Sequence, residues 1–241
     1  MKVRFLGTGT GTPSLHRLSS SYLLSTPWGS VLIDAGPSVV RRLLEFGFTV
    51  ENIDIILLTH FHPDHTADLA TFLFACNYGE PRRTRDLLLL GGQGLESFFR
   101  RLCLVYPSIK PKGYSLTMRS MVRDVWPLWD GVVVETVPMR HRKESIALKF
   151  KGKKTIVFTG DTDYSGDLVS FVKGADLLVS ECSFPDLKAK GHLNLAALEK
   201  IVERAKPKQV ILSHLYSEWE TFRGVLHAPF LLAEDGLEIT L

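Results

Sequence analysis

The chain has 241 residues, a formal net charge of +3 and 45% hydrophobic residues, a length and composition expected for one domain over residues 1–241. The small charge does not by itself indicate a nucleic-acid partner. No apolar run reaches the roughly eighteen residues of a membrane span, and this argues against a membrane partner. Three scattered cysteines and an N-terminus without the apolar core of a signal peptide predict a cytoplasmic protein.

The first half of the chain alternates predicted strands with predicted helices. Short apolar runs bounded by turn residues are typical of strands, and longer runs with helical spacing are typical of helices. Residues 107–130 fit neither pattern. The predicted elements are strands Val3–Leu6, Ser21–Ser25, Ser30–Ile33, Ile53–Leu58 and Asp86–Leu90, and helices Ser38–Phe46, Thr66–Ala75 and Leu95–Val105.

The second half again begins with strands. Three of its apolar runs are followed, directly or within four residues, by a histidine or an aspartate. The predicted elements are strands Val132–Val137, Thr155–Gly160, Asp176–Val179, Gln209–Ser213 and Leu237–Leu241, a hairpin around Gly152, helix Leu195–Ala205 and a short helix near Glu218–Phe222.

The segment that follows strand Ile53–Leu58 carries four strong metal ligands within six residues: His60, His62, Asp64 and His65. Imidazole and carboxylate together suit a borderline divalent metal such as zinc, and manganese or iron less specifically. Ligands in open α/β sheets bind where a strand ends. A structural zinc site would favour cysteine, so the cluster predicts a catalytic metal site.

The pattern His-x-His-x-Asp-His resembles the signature of the metallo-β-lactamase superfamily. His141, Asp161 and His214 follow later apolar runs, at intervals of 76, 20 and 53 residues that also resemble the family. The resemblance covers nearly the whole chain. It implies an α/β fold, an αββα four-layer sandwich of two mixed β-sheets with helices outside.

The same resemblance implies two divalent metal ions, zinc first and manganese or iron as alternatives. The ligands divide into two sets joined by a bridging Asp161, and a hydroxide between the metals would be the nucleophile. Asp64 would in addition orient that hydroxide or move its proton. One set is His60, His62 and His141; the other is Asp64, His65 and His214.

The turn Gly7–Pro13, with sequence GTGTGTP, follows the first strand. It lacks the third glycine of a dinucleotide fingerprint and the lysine of a phosphate loop. We interpret it as a tight turn whose backbone approaches the segment His60–His65, called the metal loop below. The motif also resembles the ribonuclease Z-like branch of the superfamily, which includes cyclic-phosphate phosphodiesterases.

Glu181 and His192 match a glutamate–histidine pair of ribonuclease Z, in which the histidine is thought to assist phosphodiester cleavage. The flanking Ser180, Leu193 and Asn194 depart from that pattern. A histidine beside a carboxylate suits proton transfer near neutral pH. The alternative interpretation is structural, because Asn194 can cap helix Leu195–Ala205.

These residues predict a dinuclear metal-dependent hydrolase, a phosphodiesterase whose substrate is a small molecule or RNA. Arg140, Arg142 and Lys143 flank His141 and could face an anionic substrate or solvent. The long glycine- and proline-rich arm by which ribonuclease Z grips transfer RNA has no counterpart here. Alternatives are a thioester or lactone hydrolase of the glyoxalase II type and a non-catalytic nucleic-acid-binding relative. Relatives of this type are often dimers, so a homodimer is also expected.

Overall fold

The computed structural model describes residues 1–241, and its helices and strands account for most of the apolar runs. The strands are β1 (Lys2–Gly7), β2 (Ser21–Ser25), β3 (Ser30–Ile33), β4 (Ile55–Leu58), β5 (Leu87–Gly91), β6 (Leu116–Ser120), β7 (Val125–Trp129), β8 (Val132–Pro138), β9 (Ile146–Lys151), β10 (Thr155–Phe158), β11 (Leu177–Glu181), β12 (Gln209–Ser213), β13 (Phe230–Leu232) and β14 (Glu238–Thr240). The α-helices are α1 (Val39–Glu45), α2 (Pro63–Thr66), α3 (Leu69–Tyr78), α4 (Leu95–Val105), α5 (Gly166–Val172) and α6 (Leu195–Ala205).

Two seven-stranded sheets form the centre of the molecule, in the orders β14-β1-β2-β3-β4-β5-β6 and β13-β12-β11-β10-β9-β8-β7. Each sheet is mixed. The first is antiparallel from β14 to β3 and parallel from β3 to β6. The second is antiparallel from β7 to β10 and parallel from β10 to β13. This arrangement confirms the predicted sandwich of two mixed sheets.

Three apolar cores separate the four layers. Phe5 and Tyr22 of the first sheet pack in the central core with Phe150 and Phe158 of the second. A second core joins the first sheet to α1, α3 and α4, and a third joins the second sheet to α5 and α6. Because side chains alternate along a strand, each central strand serves two cores.

Strand β4 shows this division directly. Ile55 and Leu57 enter the central core, whereas Ile56 and Leu58 enter the outer core beneath the helices. All four side chains are buried, which explains why the strand reads as a continuous apolar run rather than an alternating one. None of the helices is both long and apolar enough to cross a membrane.

The predicted helix Thr66–Ala75 is wrong in its extent. The structure has two helices there, α2 and α3, separated at Ala67 and Asp68. The amide of Ala35 donates to the carbonyl of His65 (2.7 Å), and the amide of Asp68 donates to the carbonyl of Ala35 (2.9 Å). Backbone groups that would continue one helix are therefore used to tie the metal loop to the end of β3.

Residues 107–130, unassigned from sequence, contain β6 and β7, one edge strand of each sheet. Neither is fully buried, so neither carries a continuous apolar run.

The sequence did not predict helix α5. Its N-cap Ser165 accepts a hydrogen bond from the amide of Leu168 (3.1 Å). The three-residue strand β13 is too short for a periodic signal, and the helix predicted near Glu218–Phe222 is a 3-10 helix, Ser217–Thr221.

Candidate metal centre

The seven predicted ligands lie together at one edge of the two sheets. Parallel strands end at a common edge, which places the residues after β4, β10 and β12 there. Strand β8 runs in the same direction as β10, because both pair antiparallel with β9. Loops at the ends of these four strands carry His60, His62, Asp64, His65, His141, Asp161 and His214.

Asp161 occupies the middle of this cluster. Its Oδ2 lies 3.6 Å from Nε2 of His60 and 3.4 Å from Nε2 of His214, and its Oδ1 lies 3.5 Å from Nε2 of His65. The carboxylate is thus close to members of both predicted sets. This geometry is what a bridging ligand between two metals requires.

Potential ligand atoms within each set lie within 4.8 Å of one another, so each set could hold a metal ion. In the first set, Nε2 of His141 is 3.1 Å from Nδ1 of His62. In the second, Oδ2 of Asp64 is 3.4 Å from Nε2 of His214 and 3.6 Å from Nε2 of His65. The structure thus brings together the residues of each set that the family resemblance implied.

The unpaired ring nitrogens of His60 and His65 test whether these residues suit a metal. Each Nε2 is buried and makes no hydrogen bond. Leaving a buried polar atom without a partner is costly, and a metal ion would supply the missing partner. The surrounding donors are nitrogen and oxygen, and the three cysteines are free, buried and absent from the cluster. The donor set therefore fits zinc, manganese or iron rather than a thiolate site.

Protonation states follow from burial and mutual charge. Burial alone would raise the pKa of Asp161, but the neighbouring histidines His214 and His65 hold that pKa well below its usual range. Burial lowers the pKa of His141 to about 4. Burial acts in the same direction on His65, yet Asp161 and Asp34 raise the pKa of His65 to about 10. A metal would have to displace the His65 proton, as expected where protons and metals compete for ligands.

Sequence inspection missed Asp34, which supports the metal loop from the end of β3. Its Oδ2 accepts hydrogen bonds from Nδ1 of His65 (2.8 Å) and from the hydroxyl of Thr59 (2.9 Å), and its Oδ1 accepts from the Thr59 amide (2.7 Å). The Thr59 hydroxyl also contacts Nδ1 of His60 (3.1 Å). Asp34 follows an apolar strand just as Asp161 does, and this signal could have found it.

The predicted pair Glu181 and His192 lies beside the centre, with Nδ1 of His192 3.3 Å from Glu181 and 4.0 Å from Oδ2 of Asp161. Burial would lower the pKa of His192, but the hydrogen bond to Glu181 and the charges of Glu181 and Asp161 raise it above its ordinary value. Ser183 contacts both residues and was not singled out from the sequence.

Two glycines permit close backbone approach. A Cβ on Gly11 would lie 3.3 Å from Cγ of Asp64, so the turn Gly7–Pro13 does approach the metal loop. Gly191 has a φ of +82°, and a Cβ there would lie 2.9 Å from Nδ1 of His141. The carbonyl of Gly191 instead accepts a hydrogen bond from that nitrogen (3.0 Å), which leaves Nε2 of His141 directed at the cluster.

The basic residues around His141 are exposed at the edge of this site. Arg140 donates to the carbonyl of Tyr164 (3.5 Å), and Arg142 lies 4.0 Å from Glu144. The positive charge of Arg142 adds to the effect of burial in lowering the pKa of His62. A role for this basic run in binding an anionic substrate stays a prediction.

Comparison with known proteins extends these observations. A model of the family described as Anti-Pycsar protein Apyc1 matches residues 1–233. The probable metallo-hydrolase YhfI of Bacillus subtilis is 30% identical over 223 residues, which cover 89% of this chain and 87% of the relative. Ribonuclease Z of Saccharolobus islandicus is 26% identical over an alignment 264 residues long, which covers 91% of this chain and 90% of the relative.

The fold also has close structural counterparts. The crystal structure of human tRNase Z, short form, superposes with a TM-score of 0.83 at 23% sequence identity and covers 100% of this chain and 99% of that one. At this identity the likeness concerns the fold alone. The crystal structure of YhfI from Bacillus subtilis, described as a metallo-β-lactamase fold protein, superposes with a TM-score of 0.82 at 24% identity and covers 99% of this chain and 98% of that one. Together with the sheet arrangement, these superpositions establish the metallo-β-lactamase fold predicted from the motif.

Proposed function

The chain belongs to the Anti-Pycsar protein Apyc1 family and is a metallo-hydrolase of the metallo-β-lactamase fold, and we propose that it hydrolyses phosphodiester bonds. The observation that carries the proposal is the position of His192, held by Glu181 4.0 Å from Asp161 and outside the seven-residue cluster. An imidazole so placed can protonate a leaving oxygen. A thiolate leaving group has a pKa near 8.5 and needs no such acid, which disfavours a thioester substrate.

Two divalent metal ions, zinc first and manganese or iron as alternatives, would occupy the cluster. His60, His62 and His141 would hold one ion, and Asp64, His65 and His214 would hold the other. Asp161 would bridge them. When bound, the metals would supply polarisation of the phosphoryl group and an activated water.

Two side chains would carry the proton transfers, and a third would hold one of them in place. Asp64 is partly exposed, and its Oδ2 lies beside His214 and His65, where it can orient the attacking water and accept its proton. His192 would donate a proton to the leaving oxygen. Glu181 accepts the Thr162 amide through Oε1 (2.6 Å) and holds His192 in place.

The proposed substrate class is a phosphodiester, in a small molecule or in RNA. The ribonuclease Z relative supports attack at phosphorus rather than at the acyl carbon of a lactone or thioester. The complete seven-residue cluster, with buried nitrogens that lack partners, disfavours a non-catalytic nucleic-acid-binding role. Association into a homodimer and a cytoplasmic location stay predictions.

A substrate panel tests this function. Zinc-loaded protein is assayed with bis-p-nitrophenyl phosphate, 2′,3′-cyclic nucleotides, precursor transfer RNA, a thioester and a lactam. We expect turnover of at least one phosphodiester well above that of the other classes. His227→Ala, which removes an exposed histidine outside the cluster, is the matched control and should keep full activity. Thioester or lactam hydrolysis far above every phosphodiester rate would contradict the proposal.

A further inference from the structure

We propose that Ser183 is a positioning residue that fixes the ring orientation and tautomer of His192 and His214 at the same time. The inference rests on the proposed function insofar as it concerns the leaving-group proton. Its contribution to metal binding is independent of the substrate. Ser183 lies two residues beyond the end of β11 and is fully buried.

The Ser183 hydroxyl has three partners. Its oxygen lies 2.7 Å from Oε2 of Glu181, 3.1 Å from Nδ1 of His192 and 3.1 Å from Nδ1 of His214. The two imidazole rings are nearly parallel, with an interplanar angle of 9° and centroids 5.6 Å apart. Both rings therefore direct the same nitrogen at one hydroxyl group.

Counting donors and acceptors determines where the protons are. A hydroxyl has one hydrogen to donate and two lone pairs to accept with. Glu181 is an acceptor, and its contact is the shortest, so the Ser183 hydrogen goes to that carboxylate. The two lone pairs then accept from the two imidazoles, which requires both His192 and His214 to carry a hydrogen on Nδ1. The Nδ1 hydrogen of His192 is shared between Ser183 and Oε2 of Glu181, which lies 3.3 Å away.

This proton placement has a consequence at each ring. Nε2 of His214 is left with a free lone pair, 3.4 Å from Asp64 and 3.4 Å from Asp161, where a metal ligand is needed. Nε2 of His192 is left free to hold the proton destined for the leaving oxygen. Because one hydroxyl serves both rings, Ser183 links a metal ligand to the proposed acid.

Ser180 provides a matched control. It too is fully buried and lies in β11, three residues before Ser183, but its hydroxyl donates to the backbone carbonyl of Glu181 (2.8 Å) and contacts no histidine. Ser180→Ala and Ser183→Ala thus remove the same atom from the same part of the fold. Ser183→Thr keeps the hydroxyl and should rescue what Ser183→Ala loses.

The first measurement is zinc affinity, by competition with a chromophoric chelator. We expect Ser183→Ala to bind zinc about 10–100-fold more weakly, the usual effect of removing a partner that orients a metal-binding histidine. Ser180→Ala should stay near the wild-type affinity, and Ser183→Thr should return to it. Equal affinities for the two alanine variants would overturn the metal-binding half of the proposal.

The second measurement tests the proton placement directly. Long-range ¹H–¹⁵N spectra of zinc-loaded wild-type protein should show a hydrogen on Nδ1 of both His192 and His214. This readout needs no variant, so it stands even if Ser183→Ala does not fold. A ring whose hydrogen is on Nε2 alone would overturn the proposal directly.

The third measurement uses leaving groups. Once saturated with zinc, Ser183→Ala should lose more turnover with an alkoxide leaving group than with p-nitrophenolate, which needs little protonation. Equal losses would show that Ser183 does not position the acid. If the wild type hydrolyses no phosphodiester, the proposed function fails, whereas the zinc affinities and the Nδ1 protons still decide the role of Ser183.

Discussion

Two buried carboxylates, one at the end of a strand in each sheet, support the candidate metal centre in different ways. Asp34, after β3, bonds directly to the ring of His65 and to Thr59. Glu181, at the end of β11, reaches the ring of His214 only through the hydroxyl of Ser183 and bonds in addition to His192. Both carboxylates are buried.

The difference lies in what each carboxylate adds beyond holding ligands. Every histidine near Asp34 belongs to the proposed metal sets. Beside Glu181 stands His192, whose side chain is 17% exposed. It is not one of the seven proposed ligands, although its ring lies near enough to Asp161 and His214 for the three to share a metal ion. We expect the N-terminal network, formed by Asp34, Thr59 and His65, only to fix proposed metal ligands. In the proposed function the C-terminal network, formed by Glu181, Ser183, His192 and His214, would also present a proton donor to the substrate. Variants at the two networks should therefore differ in which property they change, metal binding or proton transfer, as well as in the size of the effect.

The largest effect is expected at Asp161, which touches ligands of both sets. Asp161→Ala should lose both metals and lower turnover on the order of 10⁴-fold, as for a residue on which a whole catalytic unit depends. His62→Ala should lose only the metal of its own set. Metal counts by emission spectrometry on purified protein check both variants, with His227→Ala as the control. Full metal content in Asp161→Ala would show that the bridging assignment is wrong.

An intermediate effect is expected at His192. His192→Ala should keep both metals and the fold but lose about 10²–10⁴-fold in turnover, the usual contribution of a general acid. The deficit should shrink with p-nitrophenolate as leaving group and be largest with a ribose hydroxyl. An equal deficit for both leaving groups would mean that His192 is not the acid. Loss of metal or of the fold would support a structural role instead.

The smallest effect is expected at Asp34. Asp34→Asn keeps the shape of the side chain but weakens the acceptor for Nδ1 of His65, so zinc affinity should fall about 10–100-fold. Turnover at saturating zinc should be similar for the two leaving groups, in contrast to His192→Ala. Asp54→Asn is the control, because Asp54 precedes β4 at the opposite edge of the sheet. A leaving-group dependence in Asp34→Asn would remove the distinction between the two networks.

The sequence by itself determined the metal-binding cluster and the fold class. Four candidate ligands within six residues are a local signal, and His141, Asp161 and His214, each a few residues after an apolar run, were matched to them through the family resemblance. Strands buried on both faces also leave continuous apolar runs, so their existence and order could be predicted without tertiary information. The match of Glu181 and His192 to a family pair could also be seen in the sequence, because it depends only on which residues stand at those positions.

Only the tertiary structure decided how those residues are held. The edge strands β6 and β7 depend on pairing with their neighbours, and the break between α2 and α3 depends on backbone bonds to Ala35. Asp34 and Ser183 lie 31 residues from the histidines that they support, His65 and His214. Such hydrogen bonds depend on distances between chain segments that meet only after folding, and a short polar side chain leaves no periodic trace in the sequence.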